Sequence, residues 1–402
     1  MMQNLLLKHC QTLNKYNKHK ILKIKRHGTN HVFFCFIIQA GENFMKILVG
    51  LSGGVDSSVA ALILKEQGHE VIGATMSIWG KQGLATAEGK LNACYGPDEV
   101  ADIETARKFC EKFGFEYHVV DCVTKYEDIV LKNFKKEYLD GHTPNPCVWC
   151  NALIKFGVLP EVARLNGVIY DKFATGHYAK VEEENGRYIL KRGIAPKKDQ
   201  SYFLYRLKQE QLKNIILPLG SYTKDQIREI ARSYGLEVAD KPDSQDFYGG
   251  DYNELLNVKE KVGNIVDTSG KILGQHKVFW NYTIGQRKGL GVSSTEALYV
   301  ISLDKDKNEV VVGHADKTFK NMLIANDINW IAIESMDKPT HALVKIRSTQ
   351  EPVGAEIIPI GENEIKVVFE DMQKSIAIGQ SAVFYDGDKV LGGGIIKESG
   401  LV

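Results

Sequence analysis

The sequence has no long hydrophobic run and no dominant charge. No stretch of its 402 residues approaches the roughly 18 consecutive apolar residues of a transmembrane helix, which argues against a membrane-spanning chain. The 51 lysines and arginines nearly balance the 50 aspartates and glutamates, so the formal net charge is only +1. This balance neither requires nor excludes a nucleic-acid partner, because the net charge of the whole chain does not reveal a local basic face.

Cysteines are few and irregularly spaced. The seven form an odd set (10, 35, 94, 110, 122, 147 and 150), unlike the disulfide framework of a secreted domain. We therefore expect a reducing, cytoplasmic location, where a close cysteine pair indicates redox, sulfur or metal chemistry. The length predicts two or three domains, each able to bury a core.

The first 44 residues differ from the remainder. They are rich in lysine and arginine and contain one acidic residue, Glu42. An apolar strand pattern begins directly after Met45. We expect residues 1–44 to be a non-native or disordered N-terminal extension, with Met45 as the natural start. A signal or transit peptide is the alternative.

From Met45 to about residue 240, short apolar strands alternate with amphipathic helices, which predicts a parallel sheet of βα units. In this region a loop at 143–151 is expected to precede a helix at about 153–165. Beyond residue 240, strands shorten and turn signals become frequent. We expect a small central domain at 241–295 and an all-β barrel at 296–402.

The strongest local feature is the turn Gly-Leu-Ser-Gly-Gly-Val-Asp-Ser-Ser at 50–58, between an apolar strand and a helix. Backbone N–H groups and the positive end of a helix dipole make such a turn an anion site. The spacing is not that of a Walker loop, because no lysine follows the glycines.

The second feature is the pair Cys147 and Cys150 in Pro-Asn-Pro-Cys-Val-Trp-Cys-Asn at 144–151. Two prolines stiffen the approach to the pair. A Cys-x-x-Cys pair can chelate a metal, form a disulfide or pass sulfur between thiols. It is only half of a structural zinc site, and no second pair follows at the usual spacing.

Together these two features resemble the bacterial tRNA-specific 2-thiouridylases, a family of PP-loop ATP pyrophosphatases. Ala-Thr-Gly-His-Tyr at 174–178, Lys-Asp-Gln-Ser-Tyr-Phe-Leu at 198–204 and Thr-Ile-Gly-Gln-Arg-Lys-Gly-Leu-Gly at 283–291 also fit this family. The resemblance implies an α/β PP-loop domain (adenine nucleotide alpha-hydrolase-like) with a parallel sheet, then a small central domain and a C-terminal all-β barrel. It implies ATP-dependent 2-thiolation of the wobble uridine of tRNA through an adenylated uridine.

The resemblance also implies roles for particular residues. It suggests Cys150 as the thiol nearest the target base, with Cys147 beside it. ATP would bind at Gly50, Leu51, Ser52, Gly53, Gly54, Val55, Asp56, Ser57, Ser58, Met76 and Gly176. Asp56 would be the carboxylate beside a phosphate-bound Mg²⁺, with helix capping as its alternative role. The tRNA anticodon stem-loop would meet Asn145, Pro146, Cys147, His177, Lys198, Asp199, Gln200 and Gln380. Lys345 and Arg347, two apart on an expected strand, would face phosphates together, or serve only solubility.

The chain departs from the family pattern at two positions. Cys147 replaces the usual acid, and Tyr248 stands where a second, persulfide-carrying cysteine is expected. Two sulfur routes are open: Cys147 and Cys150 act as a relay fed by a sulfur donor protein, persulfide or sulfide, or Cys94, Cys147 and Cys150 bind a [4Fe-4S] cluster.

Three alternative functions remain at this stage. The chain thiolates another tRNA uridine by an iron–sulfur route, acts as a PP-loop amidating synthetase, or only binds tRNA. No amidotransferase nucleophile motif is visible, and the turn at 50–58 is complete, which favours thiolation.

Overall fold

The computed structural model describes residues 20–27, 32–39, 44–80, 93–240 and 246–402. Most of the expected N-terminal extension therefore lies outside the described residues. Within it, the strands Lys20–His27 and Val32–Gln39 pair with each other as an antiparallel hairpin. In the described ranges, no helix has the length and apolar character needed to cross a membrane.

The first domain is built from βα units, as predicted. Its strands are β1 (Lys46–Gly50), β2 (Glu70–Ser77), β3 (Ala93–Tyr95), β4 (Glu116–Asp121), β5 (Lys172–Ala174), β6 (Ala179–Glu184), β7 (Arg187–Arg192), β8 (Ile215–Ile216) and β9 (Asp246–Tyr248). Its helices are α1 (Val55–Glu66), α2 (Glu99–Phe113), α3 (123–139, with a π-helical segment Glu127–Leu131), α4 (146–165, with a π-helical segment Cys150–Val158), α5 (Gln209–Lys213) and α6 (Lys224–Ser233).

Five strands form the parallel sheet in the order β8-β5-β1-β2-β4. Gly50, the last residue of β1, lies opposite Ala74 of β2, so the turn at 51–54 leaves the carboxyl edge of the sheet. Helix α1 packs on this sheet and on α6, and its residues 57–64 are all buried. Burial on every side explains why its sequence is apolar or small all round rather than amphipathic.

The central domain is a mixed four-stranded sheet. It contains the helix α7 (Tyr252–Leu256) and the strands β10 (Gly263–Asp267), β11 (Ile272–His276), β12 (Tyr299–Asp304) and β13 (Glu309–Gly313). Their order is β11-β10-β13-β12. The predicted division at 295/296 falls inside this sheet, so β12 and β13 belong with the central strands rather than with the barrel. The parallel pairing of β10 with β13 is non-local and leaves no signal in the intervening sequence.

The C-terminal domain is a closed antiparallel barrel, as expected. Its strands are β14 (Phe319–Trp330), β15 (Thr340–Lys345), β16 (Val353–Gly361), β17 (Glu364–Lys374), β18 (Ser381–Asp386) and β19 (Lys389–Gly400). They pair in the order β14-β17-β16-β15-β18-β19, and a β14–β19 pairing closes the circle. The hairpin β6–β7 of the first domain attaches to β19, which joins the barrel to the parallel-sheet domain.

Candidate active site

The turn between β1 and α1 has the backbone geometry of an anion site. Gly53 has a φ of +68°, and a Cβ there would lie 2.7 Å from the backbone oxygen of Asp102. Only glycine fits both conditions. The N-cap of α1 is Gly54, which has no side chain to bond the first N–H groups of the helix. The sequence-based alternative that Asp56 caps this helix is therefore wrong, because Gly54 occupies that position.

Asp56 instead lies in a polar cluster at the start of α1. Both of its carboxylate oxygens are 2.8 Å from the ammonium nitrogen of Lys224, and the Tyr178 hydroxyl donates to it at 2.7 Å. Gly176 packs so closely here that a Cβ would lie 2.7 Å from the Ser57 nitrogen. Lys224 is not among the residues predicted from the sequence, although its place as the first residue of α6 after the capping residue Thr223 marks a helix start.

A cavity of about 560 Å³ opens over this turn. Nine of the eleven residues predicted to bind ATP line it: Gly50, Leu51, Ser52, Gly54, Val55, Asp56, Ser57, Met76 and Gly176. The other two, Gly53 and Ser58, lie in the same turn and helix but do not line it. Cys94, Lys155 and His177 also line the cavity, which extends to the barrel residues Lys345 and 348–351.

The Cys-x-x-Cys pair lies on a helix and not in the predicted loop. Helix α4 begins at Pro146, and the side chain of Asn145 caps it by accepting from the Val148 nitrogen at 3.4 Å. Asn at the N-cap followed by Pro at the first helical position is the signal in the sequence that marks this helix start. The three-residue spacing places Cys147 and Cys150 on one helix face, and both are half-buried.

Burial sets the protonation of these two thiols. It raises the pKa of Cys147 to about 12, and the neighbouring Cys94 and Cys150 act in the same direction. Burial also raises the pKa of Cys150 to about 11, against the opposing charge of Lys155. Both thiols are therefore protonated at neutral pH, and each needs an added charge or a bound sulfur to become a nucleophile.

The three cysteines do not fit a metal cluster as they are arranged here. Cys94 lies within electrostatic range of Cys147 and Cys150. Nevertheless, no group of three or more His, Cys, Asp or Glu side chains in the described part of the chain has the arrangement of a metal site. This arrangement does not by itself hold a cluster.

Tyr248 and Cys94 lie on neighbouring strands. Strands β3 and β9 pair in parallel, with Tyr248 opposite Tyr95 and Asp246 opposite Ala93. The Tyr248 side chain is buried among aromatic rings, 6.2 Å from Tyr95 and 6.2 Å from Tyr252 between ring centroids. Cys94 is exposed. It therefore provides a thiol on the strand next to Tyr248, which occupies the position where a second cysteine is expected.

Several residues predicted to contact tRNA make internal contacts. His177 is buried and its Nδ1 lies 2.7 Å from the Thr175 hydroxyl, and burial holds its pKa well below 6.5. Asp199 is also buried and accepts from the Ser201 hydroxyl at 2.9 Å. Gln200 accepts from the Tyr178 nitrogen at 2.9 Å. These three residues line the cavity with Lys198.

The expected phosphate-facing pair on one strand is not formed. Strand β15 ends at Lys345, and Arg347 lies beyond it, where its guanidinium donates to the Ser375 carbonyl at 2.9 Å. Lys345 is only 3 % exposed, which does not suit a solubility role.

Gln380 connects the barrel to the approach of helix α4. Its side-chain amide donates to the carbonyl oxygens of Thr143 at 3.0 Å and Pro144 at 3.2 Å. The Thr143 nitrogen donates in turn to the Ile378 carbonyl at 2.8 Å. The segment that leads into the two thiols is thus held by the C-terminal domain.

Three domain families match the chain in sequence. Residues 45–248 match the tRNA methyl transferase HUP domain, 254–314 the tRNA methyl transferase PRC-barrel domain and 320–396 the aminomethyltransferase beta-barrel domain. These ranges follow the three domains of the structure and group β12 and β13 with the central domain.

Whole-length relatives are also similar. A tRNA-specific 2-thiouridylase MnmA of Endomicrobium trichonymphae is 48% identical over 360 residues, covering 88% of this chain and 99% of that protein. That of Clostridioides difficile is 44% identical over 88% of this chain and 98% of its own length. A solved 4-thiouridine synthetase–RNA complex with bound ATP has a TM-score of 0.31 at 15% identity, covering 56% of this chain and 50% of its own. By its sequence and its domain order, the chain belongs to the tRNA-specific 2-thiouridylase family.

Proposed function

We propose that this chain is a tRNA-uridine 2-sulfurtransferase that uses ATP and Mg²⁺ to thiolate the wobble uridine at C2. The supporting observation is the cavity that joins the glycine-rich turn of α1 to Cys94 and to the helix carrying Cys147 and Cys150. Of the three thiols only Cys94 lines the cavity, and the helix of Cys147 and Cys150 contributes Lys155 and Leu159 to its wall. An anion site with thiols at and next to one cavity suits a reaction in which ATP activates an oxygen and sulfur replaces it.

The chemistry explains why both parts are needed. The C2 carbonyl of uridine is a poor electrophile, because oxide is a very poor leaving group. Transfer of AMP from ATP to the C2 oxygen releases pyrophosphate and converts that oxygen into part of a phosphate ester. A sulfur nucleophile then forms a bond to C2, and the C2–O bond breaks with its electron pair leaving on AMP.

The turn at 50–58 is proposed to hold the ATP phosphates, with Met76 and Gly176 at the nucleotide. Mg²⁺ would supply charge neutralisation on the phosphates. Asp56 is the carboxylate in the first turn of α1, but Lys224 already occupies both of its oxygens. We therefore propose that Asp56 acts at the metal–phosphate end together with Lys224.

Sulfur is proposed to pass through the Cys147–Cys150 pair. A donor leaves a persulfide on Cys150, and its terminal sulfur attacks C2 while AMP departs. The Cys147 thiol then attacks the Cys150 sulfur, which releases 2-thiouridine and leaves a Cys147–Cys150 disulfide. An external dithiol reduces that disulfide for the next turnover.

The proposed partners are the anticodon stem-loop of tRNA and a cytoplasmic sulfur donor. The target base must leave its stack to reach the thiols. Reconstitution with tRNA, ATP, Mg²⁺, a persulfide donor and a dithiol tests the proposal by nucleoside mass spectrometry. We expect 2-thiouridine at the wobble position. Thiolation at another uridine would show that the target is not the wobble position. If no 2-thiouridine forms in an ATP-dependent manner, the proposed function is rejected.

Iron analysis tests the sulfur route separately. We expect colourless, iron-free protein after anaerobic purification, with activity lost in both Cys147→Ala and Cys150→Ala. Brown protein with about four irons per chain, and loss of both iron and activity in Cys94→Ala, would replace the thiol relay with a cluster.

A further inference from the structure

Lys155 is an unpaired cation in the wall of the cavity. It lines the cavity with the turn at 50–57 and with Cys94 and His177. It is half-buried, and it makes no hydrogen bond or ion pair with any residue of the described ranges. Lys224, by contrast, is already matched by Asp56. A partly desolvated ammonium without a partner is costly unless an anion occupies the space beside it.

The π-helical segment of α4 gives Lys155 its position. In an α-helix with about 3.6 residues per turn, side chains five residues apart point about 140° away from each other. The segment Cys150–Val158 is π-helical, with the wider i→i+5 repeat, which brings Cys150 and Lys155 towards the same side. The charge of Lys155 accordingly acts on the pKa of Cys150, of Cys147 and of His177.

Lys155 therefore lines the same cavity as the phosphate turn and lies near enough to Cys147 and Cys150 for its charge to act on their pKa. We propose that the Lys155 ammonium binds the α-phosphate of the nucleotide and stabilises AMP as sulfur displaces it. This inference rests on the proposed function. In that step the C2–S bond forms, the C2–O bond breaks, and the electron pair stays on the phosphate oxygen.

The charge change in this step explains why a cation is useful there. The adenylate phosphate carries one negative charge while it is esterified to uridine, and close to two after AMP has left. A fixed ammonium therefore interacts more strongly with the departing AMP than with the bound adenylate, which accelerates sulfur transfer specifically. Adenylation depends less on Lys155, because in that step the ATP phosphates contact the turn at 50–58 and Mg²⁺.

Nucleotide binding gives a test without turnover. We expect Lys155→Met to weaken AMP binding roughly ten-fold or more, as for loss of a charge-assisted contact, and to leave adenosine binding unchanged. Lys155→Arg should retain most of the AMP affinity. Lys132→Met is the matched control, because Lys132 is an exposed lysine on α3 away from the cavity.

Calorimetry with AMP and with adenosine measures these affinities. AMP affinity of Lys155→Met within two-fold of wild type, or an equal loss in Lys132→Met, would overturn the inference. If Lys155→Met also loses adenosine binding, Lys155→Arg decides: restored AMP affinity supports the inference, and unrestored affinity overturns it.

Single-turnover kinetics separates this inference from the function itself. In Lys155→Met we expect the pyrophosphate burst to persist while 2-thiouridine forms at least ten-fold more slowly. Equal slowing of both steps would contradict a role in AMP departure. A wild-type protein that forms no 2-thiouridine would instead reject the proposed function, with the AMP measurement still deciding the role of Lys155.

Discussion

The side-chain amide of Gln380 lies 3.0 Å from the carbonyl oxygen of Thr143, across the boundary between the barrel and the first domain. Gly379 makes the close approach possible, because a Cβ there would lie 3.0 Å from the Thr143 oxygen and its φ is +88°. The barrel therefore sets the conformation of the segment that enters helix α4.

Replacing Gln380 should weaken the contact between the barrel and the segment that leads into helix α4. Gln380→Leu removes two hydrogen bonds, to Thr143 and Pro144, and we expect about 1–2 kcal/mol of lost stability. Thiolation should slow, because the approach to α4 loosens, while ATP affinity stays unchanged. Urea unfolding measures the stability, single-turnover kinetics measures the thiolation rate, and calorimetry measures the ATP affinity. Unchanged thiolation together with the expected stability loss would show that the contact is only structural.

The regular parts of the fold were predictable from the sequence. The alternation of strands and helices predicts the parallel sheet, and the glycines at 53 and 54 predict the turn. Both features depend on neighbouring residues, so the local sequence is enough to indicate them. The grouping of β12 with β10 rests on pairing between distant segments, and the ion pair between Lys224 and Asp56 joins residues 168 positions apart. The sequence around one residue of such a contact contains no signal that identifies the distant partner.

The helix that carries the thiols was only partly predictable. Asn145 and Pro146 are a recognisable helix start, but Pro144 and Pro146 together are equally typical of a stiff loop. The π-helical segment that follows has no comparable signal in single residues. The position of Lys155 relative to Cys150 therefore could not be derived from an α-helical spacing.

Asp56 should be required for the first half-reaction. Asp56→Asn keeps the shape of the side chain but removes the charge that faces Lys224. We expect pyrophosphate release to fall about a hundredfold or more, as when a preorganised electrostatic contact is lost. Affinity for tRNA should stay within a few fold. Pyrophosphate release near the wild-type rate would remove Asp56 from the phosphate site.

The stability of the protein should fall as the pH drops below about 6.5. Burial holds the pKa of His177 well below that value in the folded state, whereas the unfolded chain takes up a proton near it. Stability is therefore fully present above pH 6.5 and decreases below it, by at most about 1.4 kcal/mol per pH unit for one proton. His177→Gln should flatten this decrease in urea unfolding series at pH 7.5 to 5.5. An identical slope in the variant would contradict the assignment.

The cysteines at positions 94, 110, 122, 147 and 150 should differ in their rates of alkylation. Cys94 is exposed, and we expect iodoacetamide to modify it first at pH 8. The rate at Cys150 should rise with pH towards about 11, and that at Cys147 towards about 12, because burial keeps both thiols protonated. Buried Cys110 serves as the unreactive control. Peptide mass spectrometry gives the order, and a Cys150 that reacts fully at pH 7 would contradict it.

Tyr248 should matter for packing and not for sulfur transfer. Its side chain is buried between Tyr95 and Tyr252, and its hydroxyl forms no hydrogen bond with the residues that the structure describes. Tyr248→Phe should therefore keep thiolation within two-fold and change stability by less than about 1 kcal/mol. Tyr248→Ala should lose about 3–5 kcal/mol through the cavity it leaves. Urea unfolding and single-turnover thiolation separate the two effects. If Tyr248→Phe slows thiolation without lowering stability, the hydroxyl takes part in the reaction. The Cys147 and Cys150 thiols alone would then not account for sulfur transfer.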